Sequence, residues 1–169
     1  MSLAFLWAGL LALDAHADPP ASEPVQKTVL GSAEPIEMTA KGRLRVDLKR
    51  QLGIAERDVV IRRRDVIVCC DKAEAAYEGD QITRVECRGR VAIVRPDGTR
   101  ARADAAVFEA KIDLLTLSGS ARVRAPTADL VGEVITYDVA RDVLEVSGGP
   151  SRFRFKPSEP MADERPCPP

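Results

Sequence analysis

The residues of this chain that could form covalent cross-links are its four cysteines: Cys69, Cys70, Cys87 and Cys167. In an oxidising compartment, four cysteines permit three disulfide connectivities. Cys69 and Cys70 are adjacent, so on a β-strand they point to opposite faces and only one of them can readily face Cys87. Alternation with Val66 and Val68 predicts that Cys70 points inward. One expected arrangement is therefore a Cys70–Cys87 bridge across neighbouring strands, and buried free thiols are the alternative.

Metal and enzyme chemistry lack the residues that they need. The only histidine, His16, lies in a segment interpreted below as a cleaved signal peptide. Without it the mature chain has no histidine for general base catalysis or metal ligation. The cysteine spacing is not C-x-x-C, no G-x-S-x-G sequence or P-loop occurs, and acidic residues fall mostly at outward strand positions and near turns. We therefore expect no enzyme, no cofactor and no metal, and any energy input must come from a partner.

The charges of the chain are balanced. It has 25 basic and 26 acidic residues and a net charge of −1. The basic residues are scattered along the sequence without interleaved aromatics, which predicts neither nucleic acid nor an anionic membrane surface as a partner. The one tight run is Arg62-Arg63-Arg64. We interpret it as a solvated turn between two strands, with a docking patch as the alternative.

The N-terminus has the pattern of a secretory signal peptide. An apolar run of 11 residues, Leu3–Leu13, is too short to span a bilayer and precedes the A-x-A cleavage pattern Ala15-His16-Ala17, although no Lys or Arg stands before it. No other stretch could cross a membrane, so we expect a soluble exported protein. The predicted organisation is a signal peptide at 1–17, a flexible lead-in at 18–35, a folded domain at 36–155 and a disordered proline-rich tail at 156–169.

A repeat of about 30 residues runs through the centre of the chain. The glycines that mark it are 30 and 29 residues apart: Gly89, Gly119 and Gly148. The aromatic residues that mark it are 31 and 29 residues apart: Tyr77, Phe108 and Tyr137. Two independent markers keep one period, which indicates repeats that each bury an apolar face against their neighbours.

Apolar and polar residues alternate with a period of two, which predicts β-strands with one buried face and one wet face. Leu44, Val46 and Leu48, for example, alternate with charged residues. Pro96-Asp97-Gly98 predicts a turn, because proline fixes φ and glycine accepts positive φ. The segment from Asp71 to Tyr77 contains good helix formers, but the matching segments of later repeats favour a strand. We therefore predict an all-β fold of roughly a dozen short strands, with corners near the glycines.

These repeated residues resemble the OstA-like family, the group of periplasmic lipopolysaccharide-transport proteins that includes LptA. The family's repeat runs from a Gly-Asn-Val strand, through a variable turn, to a strand in which an Ala-Asp pair leads to an aromatic residue. Gly89-Arg90-Val91 and Gly119-Ser120-Ala121 resemble the openings. Ala103-Asp104 leading to Phe108, and Ala128-Asp129 leading to Tyr137, resemble the second strand.

The resemblance extends over about residues 35–148. Cys70-Asp71 leading to Tyr77 follows the same pattern with Cys in place of Ala, and Pro35-Ile36-Glu37-Met38 resembles the family's opening strand. Three features depart from the pattern. Two cysteines stand at Cys69 and Cys70. Arg57-Asp58 stands where Gly-Asn would open the first unit, and the spacing from Asp to the aromatic residue varies between units.

The resemblance implies a repetitive antiparallel β-jellyroll, curved or V-shaped and open at one side. It also implies a periplasmic role, in which the protein shields the acyl chains of lipopolysaccharide during transport from the inner to the outer membrane. Members of the family stack end to end through their terminal strands. The implied partners are therefore lipopolysaccharide, an inner-membrane transport complex, an outer-membrane translocon and further copies of the chain.

A groove for acyl chains would be lined by the apolar residues of inward parity, because one parity of every strand points to the same side. The alternative is that these residues are the ordinary core of a closed sandwich. Leu144 and Val146 continue the same parity near the C-terminal end. The predicted lining residues are Ile36, Met38, Leu44, Val46, Val59, Ile61, Val66, Val68, Val91, Ile93, Leu115, Leu117, Val123, Leu130 and Ile135.

A stack of strands also ends in two unpaired edges, which can each accept a strand from a partner. We expect docking at the Ile36–Met38 end and at the Arg152–Phe155 end. A function of another class stays open, namely a structural β-solenoid adaptor that binds protein or polysaccharide without lipid. Copurifying lipopolysaccharide would favour the carrier over the adaptor.

Overall fold

Ten antiparallel β-strands form one sheet in the computed structural model, which describes residues 35–64, 66–155, 157 and 167. The predicted signal peptide, the lead-in up to residue 34 and the tail apart from residues 157 and 167 lie outside the described residues. The elements are β1 Glu37–Thr39, β2 Leu44–Asp47, β3 Leu52–Arg63, β4 Val66–Glu78, β5 Gln81–Val94, β6 Arg100–Glu109, a 3-10 turn Ala110–Ile112, β7 Leu114–Ala125, β8 Ala128–Asp138, β9 Val143–Ser147 and β10 Arg152–Phe155. The all-β prediction is confirmed, and Asp71 to Tyr77 is strand, within β4.

The sheet is bent through the middle of its long strands. The pairing register shifts after Glu56 in β3, after Arg88 in β5 and after Ser118 in β7. Next to each shift two residues have positive φ, for example Gly89 with Arg90 and the non-glycine pair Arg57-Asp58. Such bulges bend a strand and increase its twist. The glycine period therefore marks corners, as predicted. The prediction of a dozen short strands is wrong, because the corners lie inside six strands of 10 to 14 residues.

The bend divides the sheet into two half-sheets. In the register, β2 pairs with the first half of β3 and β9 with the second half of β8, so both belong to half-sheet 1. The other halves of β3 and β8 pair with β1 and β10, which belong to half-sheet 2. Buried residues of both half-sheets form one apolar cluster. The half-sheets therefore face each other as a β-jellyroll.

The side opposite the bend is bordered by two rows of hairpin turns, here called lips. Lip 1 belongs to half-sheet 1 and contains the turns at residues 79–80, 110–113 and 139–142. Lip 2 belongs to half-sheet 2 and contains Arg64 and the turns at residues 95–99 and 126–127. Pro96-Asp97-Gly98 forms the predicted turn, with φ of 82° at Gly98. No strand pairing joins the lips within the described ranges, so the jellyroll is open along this side.

Glycine is needed at the corners for two reasons: it adopts a positive φ readily, and it has no side chain. Gly119 has φ of 75°, and a Cβ there would lie 2.5 Å from Asp104 Oδ2. Gly89 meets Asp71 in the same way. These contacts explain why Asp and Gly recur together in the repeat. At the third corner, a Cβ added at Gly148 would lie 3.3 Å from Val134 Cγ2 and 3.4 Å from Glu133 Cβ. The predicted equivalence of Ala128-Asp129 with Ala103-Asp104 is therefore wrong, because the corner of β8 falls later in the strand.

Replacing Gly119 by alanine is expected to lower the free energy of unfolding by about 2 kcal/mol, because a left-handed alanine costs about 1–2 kcal/mol and the new Cβ displaces Asp104. Gly79→Ala is the matched control, since Gly79 has φ of 62° and a Cβ added there would meet no atom within 4 Å. Equilibrium denaturation by urea measures both losses. Equal losses would show that the contact with Asp104 carries no cost.

Candidate functional site

The inner faces of the two half-sheets hold the residues predicted to line a groove. Thirteen of the fifteen belong to the apolar cluster or pack against it. The other two, Leu44 and Val46, lie opposite Ala55 and Gly53 on the same face and are 52% and 54% exposed. The predicted parity therefore brings all fifteen residues to one face. Their contact with lipid stays a prediction.

The interior between the half-sheets is closed in its middle. Val59, Val91, Leu117 and Ile135 are at most 2% exposed. Small side chains at many inner positions allow the two half-sheets to pack closely. The prediction missed these small residues, because alanine gives a weak signal in an alternating pattern. They are Ala55, Ala73, Ala101, Ala103, Ala106 and Ala121.

The inner face is exposed at both ends of the sheet. At one end, the inner-face side chains of Leu44 and Val46 on β2 are exposed. At the other end Phe153 is 66% exposed and Phe155 is 73% exposed. Phe153 lies opposite Leu130, a core residue, so both phenylalanines project from the inner side of β10. The sequence identified this segment as a docking end but not as part of the inner face.

One cluster of contacts joins the two lips across the open side. Arg95 of lip 2 donates from Nη1 to Tyr137 Oη at 3.3 Å, and its guanidinium carbon lies 5.6 Å from the centroid of that ring. Tyr137 lies near the end of β8 in half-sheet 1 and donates to Asp142 Oδ1 at 2.6 Å. Burial and the hydrogen bond to Asp142 raise the pKa of Tyr137, so the hydroxyl stays protonated at neutral pH. We call this cluster the seam clasp.

The cysteines pair differently from the predicted bridge. Cys69 is bonded to Cys167, and their Cα atoms are 5.7 Å apart. Cys70 and Cys87 are buried free thiols, which was the alternative. Cys70 points inward as predicted, because it belongs to the apolar cluster with Cys87. Cys69 therefore faces the outer side, where a segment that follows β10 can reach it.

The two free thiols contact each other. Their hydrogen bond lowers the pKa of Cys70, and the same bond together with burial raises the pKa of Cys87. The Cys70 thiol also donates to the carbonyl of Lys72 at 3.2 Å. Both thiols therefore have hydrogen-bond partners within the core.

A pocket of about 400 Å³ lies at the bend beside the disulfide. Arg90 donates to Asp71 Oδ1 from Nε at 2.9 Å and from Nη2 at 2.6 Å. Lys41 Nζ lies 3.4 Å from Asp58 Oδ2. Because each of these cations lies beside a carboxylate, the pocket offers no excess charge to an ionic ligand.

Residues 39–143 match the family model described as "LptA/(LptD N-terminal domain) LPS transport protein". The chain belongs to this lipopolysaccharide-transport family. The match covers more than half of the sequence and includes Gly89 and Gly119, two of the three repeat glycines, and all three repeat aromatics from Tyr77 to Tyr137. The resemblance read from the repeat is therefore confirmed.

The fold is shared with a solved structure of 16% sequence identity. It is the crystal structure of LptH from Pseudomonas aeruginosa, described as "the LptA homologous periplasmic component of the conserved lipopolysaccharide transport device". The TM-score is 0.64, and the similarity covers 75% of this chain and 96% of that chain. No curated protein sequence gives a significant match to the chain. In the part of the chain that the structure describes, no helix has the length and apolar character needed to cross a membrane.

Proposed function

We propose that this protein carries lipopolysaccharide across the periplasm by holding its acyl chains against the inner face of the jellyroll. The observation that carries the proposal is a continuous apolar inner face, from Leu44 at one end to Phe155 at the other, in a chain of a lipopolysaccharide-transport family. Burial contributes about 0.8 kcal/mol for each methylene, so several acyl chains require a long apolar surface. The role is non-enzymatic, and the predicted signal peptide would supply export.

In the middle of the jellyroll, the protein's own side chains fill the space between the half-sheets that acyl chains must enter. Leu117 and Ile135, which lie opposite each other on β7 and β8, occupy that position. We infer that loading begins at the exposed ends and proceeds as the lips separate. Contacts between the half-sheets are then exchanged for contacts with acyl chains, and the exchange of one apolar contact for another costs little. The seam clasp between Arg95 and Tyr137 would open in this step.

We further propose that copies and partners dock at the two edges of the sheet. β1 and β2 form one edge, and β9 and β10 form the other. Edge strands offer unpaired backbone donors and acceptors to an incoming strand. Docking at these edges would also join the exposed inner faces of successive molecules, so that acyl chains could pass between them without exposure to water.

Replacing Phe153 and Phe155 together by serine is expected to weaken end-to-end association at least about tenfold, because both side chains are exposed apolar surface at the docking edge. The melting temperature should change by no more than about 2 °C, since little buried area is lost. Ile112→Ser is the matched control, because Ile112 is 58% exposed on the 3-10 turn of lip 1. Sedimentation velocity measures association. Unchanged association of the double variant, or a strictly monomeric wild-type protein, would contradict docking at this edge.

Organic extraction of the purified protein tests the carrier function. The protein is expressed in a cell that makes lipopolysaccharide, and the extract is analysed by mass spectrometry. The proposal predicts copurifying lipopolysaccharide. A folded protein that yields none, and binds none when it is added, would instead favour the β-solenoid adaptor.

A further inference from the structure

Three rows of paired residues cross half-sheet 1 from β2 to β9 without a shift in register. Two of these rows lie on the inner face: one runs from Leu44 to Val146, and the other runs from Val46 to Leu144. Leu44, Val46 and Leu144 are exposed. The two edges of half-sheet 1 therefore present apolar inner side chains at the same two levels.

The third row lies between them on the outer face and has opposite charges at its two ends. It begins at Arg45 on β2 and ends at Glu145 on β9. The side chain of Arg45 is exposed and lies 3.7 Å from the carboxylate of Asp47. Among the residues that the structure describes, Glu145 is exposed and has no ion-pair partner. Each edge therefore offers a charge that a second molecule can reach.

The charges around the two row ends have the same signs as the row ends themselves. The segment 43–50 contains four basic residues and one acidic residue, whereas the segment 138–147 contains three acidic residues and one basic residue. Charged residues on edge strands commonly prevent identical edges from pairing. Here each edge repels a second copy of itself and attracts the other edge.

We propose that β9 of one copy pairs with β2 of the next copy in the register that places Glu145 directly opposite Arg45. The inference rests on the docking proposed above and names the strands, the register and the residues that select it. In this register Leu44 faces Val146 and Val46 faces Leu144, so the apolar rows of successive inner faces become continuous.

The direction of the strands supports this contact. Each of the seven successive pairs from β2 to β9 is antiparallel, so β2 and β9 run in opposite directions. A second copy that is displaced along the sheet without being reversed therefore presents its β2 antiparallel to β9 of the first. The alternation of strand directions continues from one molecule into the next.

Docking between like edges is disfavoured by the same two residues. When two copies of β2 pair with inner residues facing inner residues, Arg45 lies opposite Arg45 of the second copy. Two copies of β9 place Glu145 opposite Glu145 in the same way. Like charges directly opposite each other destabilise a sheet, whereas opposite charges stabilise it. Arg45 and Glu145 therefore determine the polarity of association, and contacts of one polarity build an open row of copies.

Half-sheet 2 indicates the same polarity. Its register places Glu37 of β1 and Arg154 of β10 in one outward row, so the same displacement brings Arg154 opposite Glu37 of the next copy. The segment that follows β10 contains three acidic residues and is bonded to Cys69 on the outer side of this half-sheet. The test therefore uses the pair of half-sheet 1.

Charge reversal tests the register. R45E and E145R each place like charges opposite one another in the proposed contact, and the double variant R45E/E145R restores opposite charges. R43E/E145R is the matched control, because it has the same net charge but position 43 lies at the level of Ser147 in this register. Association is measured by sedimentation velocity at about 0.15 M salt, where charges beyond about 8 Å are largely screened. Circular dichroism verifies that each variant is folded.

Each single variant is expected to associate about tenfold more weakly than the wild type, because repulsion replaces attraction at one cross-strand pair. R45E/E145R should return to within about threefold of the wild type, whereas R43E/E145R should stay weak. Failure of R45E/E145R to recover, or equal recovery of both double variants, would overturn the register. A strictly monomeric wild type would overturn docking between copies altogether. The carrier function is judged separately by copurifying lipopolysaccharide, since positions 45 and 145 point away from the inner face.

Discussion

Replacing Cys167 by serine is expected to lower the free energy of unfolding by about 4 kcal/mol. The Cys69–Cys167 disulfide closes a loop with a sequence separation of 98 residues. Closing a loop of this length lowers the conformational entropy of the unfolded chain, which destabilises that state by about 4–5 kcal/mol. Measured disulfides stabilise folded proteins by about 2–4 kcal/mol. Urea denaturation followed by circular dichroism measures the change.

Chemical reduction provides the control for this disulfide. A reductant should destabilise the wild-type protein by the same amount as Cys167→Ser and should leave the variant unaffected. The free thiols Cys70 and Cys87 make no covalent bond, so reduction does not change them. A wild-type unfolding midpoint that does not respond to reductant would contradict a stabilising link between β4 and the segment after β10.

Replacing Leu117 by alanine is expected to lower the free energy of unfolding by about 3 kcal/mol, because deletion of a fully buried leucine side chain leaves a cavity. Leu117 is 1% exposed and faces Ile135 across β7 and β8. Leu44→Ala is the same chemical change on the same inner face, but Leu44 is 52% exposed. We expect it to cost less than about 1 kcal/mol.

This pair of variants tests the distribution of packing along the inner face. A large loss at Leu117 with a small loss at Leu44 indicates a closed middle and an open end. Equal losses at the two positions would contradict that description. The comparison also bears on loading, because a packed middle requires the half-sheets to separate before acyl chains can replace the side chain of Leu117.

The sequence predicted the features that depend on residues close together in the chain. Alternation of apolar and polar residues reports which side of a strand is buried, and it identified Val59, Leu117 and Ile135 as inward residues. The glycine period predicted the corners. At positions 89 and 119 the backbone has a positive φ and a carboxylate lies close by, so a residue with a Cβ would be strained there. Arg57-Asp58 shows the limit of this signal, since two non-glycine residues take positive φ at the first corner.

The features that could not be predicted depend on which strands become neighbours and in what register. Arg100 lies opposite Arg124, and Arg102 opposite Arg122, only because β6 and β7 pair in this register. The disulfide depends on where the chain runs after Phe155, which no local pattern reports. Cys70 and Cys87 are close enough to exchange a hydrogen bond, as their predicted neighbourhood implied, yet they stay as thiols.

Site-specific photo-crosslinking to lipopolysaccharide tests the carrier function most directly. A photoreactive residue is placed in turn at Ile36, Val68 and Leu117 on the inner face, with Phe153 as the exposed inner position and Arg45 as the outward control. Circular dichroism verifies that each variant is folded. The proposal predicts crosslinks to lipopolysaccharide at the inner positions and none at Arg45. Folded variants that crosslink at none of the inner positions would show that these residues are plain core and that the protein acts as an adaptor without lipid.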